Sequence, residues 1–130
     1  MGYLSPALAV RDMKKSMDFY RDVLGFKLGL VFPDAENPQT AEYADVSKDG
    51  MVLMFIPARN AGIGSEEKLG AGVNFYMEID GKVDDYYAEV KHKGAKIVAE
   101  IRDEPFGIRD FTAEDVDGYQ LTFVNRLQSG

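Results

Sequence analysis

Cysteine and tryptophan are absent from this 130-residue chain, and histidine occurs once. Without cysteine there is no disulfide framework, no thiolate nucleophile and no cysteine-based zinc site. One histidine excludes any site that draws two or three imidazoles from a single chain, and a serine–histidine triad would have to use His92. Basic residues are also scarce: 15 Lys and Arg against 22 Asp and Glu give a net charge of −7. Nucleic acid phosphates call for a positive surface, so nucleic acid is not an expected partner. The summed negative field draws cations toward the chain, although solubility alone accounts for many acidic proteins. No apolar run approaches the ~20 residues of a membrane span, and Met1 to Val10 lack the basic segment and long apolar stretch of a signal peptide. The expectation is a protein of the cytoplasm with no membrane partner.

What is present is ordinary for a folded domain. Apolar residues make up 45% and charged residues 28%, and the length suits one domain with its own core. Leu4 to Val10 reads as a strand. Met13, Met17, Tyr20 and Leu24 then fall on one helix face, with Asp12 as N-cap and Gly25 as the left-handed residue beyond the helix. Strands follow at Phe26 to Phe32, Thr40 to Val46 and Met51 to Ile56, the last two joined by a turn at Ser47-Lys48-Asp49-Gly50. Pro57 to Gly72 is irregular and glycine-rich, and reads as a mobile connection that can act as a lid. After it, Val73 to Ile79 is a strand, and Val83, Tyr86, Tyr87 and Val90 mark a helix closed by Gly94. Ala95 to Ile101, Arg109 to Ala113 and Tyr119 to Val124 complete the chain as strands, with turns around Pro105 and at Asp115 to Gly118.

The order β-α-β-β-β thus occurs twice. The copies align at an offset of 69, which sets Val10 on Ile79, Met17 on Tyr86 and Gly25 on Gly94. Two copies of a mixed unit do not make a solenoid, but two such units tend to join their sheets into one curved surface.

Two stretches, VRDMKKSMDFYRDVLGF at Val10 to Phe26 and PFGIRDFTAEDVDGYQLTFV at Pro105 to Val124, resemble the first-helix and closing words of the vicinal-oxygen-chelate superfamily. That group includes glyoxalase I, extradiol dioxygenases and the fosfomycin- and bleomycin-resistance proteins, and the resemblance is to its bleomycin-resistance branch. It implies an α+β fold. Two tandem βαβββ modules, at about 4–57 and 73–125, would be joined by a loop at about 58–72. Their sheets would form a U-shaped cleft, and the protein would be a homodimer.

In the metal enzymes of that group, four cleft positions hold the metal. The resemblance carries them onto Ser5, Met54, Asn74 and Thr122. None is a carboxylate or imidazole. Methionine is a soft ligand, and neutral amide and hydroxyl oxygens offset little of the cost of dehydrating a dication. No metal or other cofactor is therefore expected, and none of these residues is expected to be catalytic.

Counted by alternation from those four carried-over positions, Ser5, Ala7, Met54, Asn74, Tyr76, Gln120 and Thr122 would line the cleft that the resemblance implies. Phe106 corresponds to an aromatic rim residue of bleomycin-resistance proteins. Arg109 and Phe111 follow in the next strand, and Phe32 and Tyr43 are candidates for an aromatic wall. This set suits stacking of a planar aromatic or cationic small molecule, such as an antibiotic, bound without turnover. The competing structural readings are that Met54 and the aromatics are core, and that His92 is a solvated helix residue. Asp115 and Asp117 would then hold a turn rather than a metal. The rival functional reading is a lyase, isomerase or dioxygenase, with an atypical metal site or with a buried Glu78 beside Tyr76 as the base.

Overall fold

The computed structural model describes residues 2–127, which form two compact units divided between Leu69 and Gly70. The first contains β1 (Ala7–Val10), α1 (Met13–Asp22), β2 (Lys27–Phe32), β3 (Tyr43–Lys48) and β4 (Met51–Pro57). The second contains β5 (Asn74–Glu78), α2 (Val83–His92), β6 (Lys96–Glu104), β7 (Ile108–Glu114) and β8 (Gln120–Arg126). The strand orders are β1-β4-β3-β2 and β5-β8-β7-β6. In both, the first strand pairs parallel with the last and the other pairings are antiparallel. The twofold βαβββ reading and its α+β class therefore hold at the level of topology.

Local chemistry explains the element ends. The Asp12 side chain accepts from the Lys15 backbone N–H at 3.0 Å, and the Met13, Met17, Tyr20 and Leu24 face is buried. The β3–β4 hairpin turns on Asp49 and Gly50 alone, with φ of 51° and 82°. This is the two-residue turn whose twist matches that of the flanking strands. The first strand begins at Ala7 rather than Leu4, and β6 runs on to Glu104 instead of stopping at Ile101. The two helices align at an offset of 70, not 69, so that Tyr20 corresponds to Val90 rather than to Glu89. The extra residue is taken up between α2's start and the preceding strand.

Each core lies between a helix and one face of its sheet. In the first unit Tyr20 is fully buried, with ring centroids 5.4 Å from Phe26 and 5.0 Å from Phe55. In the second, Tyr86 lies 4.9 Å from Phe123, and Phe111 lies 5.0 Å from Tyr87. Gly70, at φ +80°, starts the second unit pressed on the Gly118–Tyr119 turn. A Cβ there would meet the Gly118 carbonyl oxygen at 2.9 Å.

The helix α2 has no side-chain cap of its own, because Lys82 occupies the N-cap position. Asn125 of β8 supplies one from a distance. Its Oδ1 accepts from the Val83 N–H at 2.7 Å, and its Nδ2 donates to the Gly81 carbonyl at 2.9 Å. Asn125→Ala should cost about 1–2 kcal/mol, the usual loss for a capping side chain. The urea midpoint measures this, and an unchanged midpoint would mean that water caps α2 equally well.

Candidate ligand-binding site

In each unit the helix covers one sheet face, and the other, called open below, carries no helix, although on the second sheet Asp110, Thr112, Thr122 and Val124 at its centre are buried. On the first sheet, Leu53 and Phe55 of β4 point to the core, so Val52, Met54 and Ile56 lie on the open face. Register carries the row across the sheet: Met54 pairs with Ala7 on one side and Asp45 on the other. Phe32 pairs with Tyr43 and is 57% exposed. Ser5 lies just ahead of β1, where its hydroxyl donates to the Val52 carbonyl at 2.7 Å. The open face of this unit is thus mainly aliphatic and aromatic, with the carboxylate of Asp45 among those side chains and Ser47 and Lys27 toward the β3–β4 hairpin.

On the second sheet the open face carries Asn74, Tyr76 and Glu78 of β5, then Gln120, Thr122 and Val124 of β8. Ile108, Asp110, Thr112 and Glu114 of β7 continue it. Tyr76 is 59% exposed and borders a groove of about 290 Å³ with Glu78, Ile108, Val124 and Arg126. Phe106 sits in the β6–β7 turn and is 64% exposed.

Two expected cleft residues are elsewhere. Phe111 is 0% exposed and packs against α2, and Arg109 faces the same side, bonding Asp84 of α2 at 2.8 Å and Asp103 at 2.9 Å. The register explains this: Thr112, not Phe111, pairs with Thr122, so Phe111 and Arg109 have the parity of the core. Glu78 also departs from expectation. It is exposed and paired with Arg126 at 3.0 Å, which removes the burial that the base reading required.

Polar neighbours also engage three of the four positions carried over from metal enzymes. Thr122, 1% exposed, donates to Asn74 Oδ1 at 2.8 Å. Its oxygen lies 2.7 Å from the Thr112 hydroxyl, which is left to donate to it. Ser5 is bonded to the Val52 carbonyl, and Met54 offers only a thioether. Asn74 and Thr122, neutral groups whose oxygens already accept hydrogen bonds, together with a neutral hydroxyl and a soft thioether, do not fit a divalent metal. Among the described residues no group of three or more His, Asp or Glu side chains converges as a metal site. The Asp115–Gly118 turn is held as a turn: Asp115 Oδ1 accepts from the Asp117 and Tyr119 N–H groups, both at 2.9 Å.

The connection after β4 is tied down within the first unit. Arg11 donates to the Gly64 carbonyl at 2.8 Å and to the Glu67 carbonyl, and Leu69 is buried. His92 is exposed at the end of α2. No helix among the described residues is long and apolar enough to cross a membrane.

Sequence reasoning passed over Asp45, whose signal is Gly29. A Cβ at residue 29 would lie 2.0 Å from Asp45 Oδ1. A strand glycine of this kind marks a bulge or a close approach, and β2 is bulged between Leu28 and Val31.

Known proteins share this arrangement. The structure of TioX from Micromonospora sp. ML1 superposes with a TM-score of 0.77 at 24% identity, covering 98% of this chain and 100% of that one. TnmS3, an antibiotic binding protein from Streptomyces sp. CB03234, gives a TM-score of 0.74 at 19% identity, with 97% of each chain covered. A lactoylglutathione lyase of Neisseria meningitidis serogroup A is 29% identical over 97% of this chain and 91% of its own length. The repeated βαβββ topology agrees with a family match spanning residues 2–123, and the chain belongs to the Glyoxalase/Bleomycin resistance protein/Dioxygenase superfamily.

Proposed function

We propose that this protein binds a planar aromatic or cationic small molecule, such as an antibiotic, and sequesters it without metal and without turnover. The observation that carries this reading is the Asn74–Thr122–Thr112 chain, which fills half of the enzyme metal positions with neutral groups already bonded to one another. The open faces supply what binding alone needs. Phe32, Tyr43, Ala7 and Met54 on the first sheet offer apolar and aromatic area, and Tyr76 with Phe106 on the second adds aromatic area beside the charged Glu78 and Arg126. Stacking on such side chains contributes about 0.5–1.5 kcal/mol per pair beyond burial. The antibiotic-binding name of TnmS3 supports the choice of ligand class. The same reading takes the protein to be a cytoplasmic homodimer that confers drug resistance by titrating its ligand.

A thermal-shift experiment on metal-stripped protein tests it. Planar antibiotics, including metal-free bleomycin, are compared with zinc, nickel, manganese and iron(II). A ligand at about 100 times its Kd stabilises by about 2.7 kcal/mol, or roughly 5–10 °C for a chain of this size. The expected outcome is a rise with a planar compound and none with any metal. A rise with metal alone would overturn the reading in favour of a lyase like the Neisseria relative.

A further inference from the structure

We infer that Asp45 selects for positive charge in the ligand, and that the β2 bulge at Gly29 exists to aim its carboxylate. This inference rests on the small-molecule reading above. Asp45 lies on the open face, half-buried, in one cross-strand row with Met54 and Ala7. Two donors hold it: the Leu30 backbone N–H reaches Oδ1 at 3.1 Å, and the Tyr43 hydroxyl reaches Oδ2 at 2.8 Å. A carboxylate has about four acceptor positions, so these bonds orient it and leave the rest for a guest. Burial first, then the bond to Asp45 and its charge, push the Tyr43 phenol above its ordinary pKa, so it remains a donor at neutral pH.

The bulge makes this placement possible. Between the Leu28–Val46 and Val31–Ala44 pairs, Gly29 and Leu30 together face Asp45 alone. The absent Gly29 side chain leaves the space that Asp45 Oδ1 fills, and any Cβ there would displace it. Met54, Ala7, Phe32 and Tyr43 lie around it; register also puts Lys27 on this face, opposite Ser47 toward the β3–β4 hairpin, and among the described residues no ion pair joins it to Asp45. The described ion pairs of this unit lie elsewhere, at Lys14–Asp18, Arg21 with Asp18 and Asp22, Lys48–Asp49 and Arg59–Glu42. A flat cation can therefore lie on the aliphatic and aromatic surface with its charge against Asp45, and the net charge of −7 favours its approach.

The test uses two probes of nearly one shape, N-methylphenanthridinium and neutral phenanthridine, titrated at neutral pH by calorimetry. The wild-type protein should bind the cation about 10- to 100-fold more tightly, the range for hydrogen-bonded or paired charges. Asp45→Asn removes the charge, keeps an oxygen to accept from the Leu30 N–H, and reverses the second bond, its NH2 donating to the Tyr43 oxygen. It should bring the ratio near one while leaving phenanthridine affinity within about twofold. Gly29→Ala keeps the charge but moves the carboxylate, and should reduce the ratio with no comparable loss of thermal stability. A ratio unchanged in Asp45→Asn would overturn the inference and leave the binding reading standing. Binding of neither probe or any planar antibiotic to wild-type protein would overturn both.

Discussion

Phe111→Ala should lower the thermal midpoint by about 10–20 °C. The side chain is 0% exposed, with ring centroids 5.0 Å from Tyr87, 5.4 Å from Phe123 and 6.0 Å from Tyr86. Truncating a fully buried phenylalanine costs about 3–5 kcal/mol, from lost burial and from the cavity left behind. In a chain of this length each kcal/mol moves the midpoint by roughly 3–5 °C. Tyr76→Ala provides the contrast. That ring is largely solvated on the open face, so its loss should fall within about 0.5 kcal/mol of neutral, while binding of planar ligands weakens. Differential scanning calorimetry of both variants decides the matter. A Phe111→Ala midpoint within about 2 °C of wild type would mean that Phe111 does not hold the second core.

Asp110→Asn should stabilise the protein at neutral pH. Asp110 is 4% exposed, and its Oδ2 has no hydrogen-bond partner among the described residues. Burial pushes its pKa up, the charge and hydrogen bond of neighbouring Glu104 add to this, and Arg102 opposes it. Arg102 is itself engaged by Glu104 at 2.9 Å, which limits its help. The sign follows directly. With the folded-state pKa above the unfolded value, the native protein binds the proton more tightly. Stability from this group therefore increases as pH falls through the raised folded value, and levels off below the ordinary aspartate value near ~4. Asparagine carries no charge at any pH, so its advantage should be full at neutral pH and shrink on acidification. Urea unfolding at several pH values measures the difference. A destabilised Asp110→Asn variant at neutral pH would show that the carboxylate is stabilised in the native state by Arg102 after all.

Much of the architecture was legible because its signals are local. Asp12 caps the helix that its own neighbours form, Asp49-Gly50 specifies a two-residue hairpin, and the Met13–Leu24 periodicity gives a buried face. The repeated strand–helix–Gly–strand order points to two like modules, and the same strand order appears in both sheets. The candidate site was legible only in part. Met54, Asn74 and Thr122, carried over from the family resemblance, and Tyr76, two residues from Asn74, lie on the sheet faces that carry no helix, each in a strand whose alternation is uninterrupted.

Arg109 and Phe111 were misplaced because alternation alone does not say which parity faces the helix. That choice rests on pairing across strands, and a shift of one residue reverses every side chain. Phe32 shows the same limit within one strand. It is four residues from Leu28, and an unbroken strand would put both on one side. The bulge at Gly29 instead leaves Leu28 opposite buried Val46 and Phe32 opposite Tyr43 on the open face. Asn125 capping α2, and Glu78 engaged by Arg126, likewise join residues more than forty positions apart.

The amino-acid sequence by itself thus determined the two modules and most of their helices and turns. These follow from residue identity and short-range periodicity. Only the tertiary structure decided which strand faces are open, how the neutral polar groups satisfy one another, and that Asp45 lies among apolar side chains. Those depend on register and bulges, which arise when strands distant in the chain pair and bury one face against a helix.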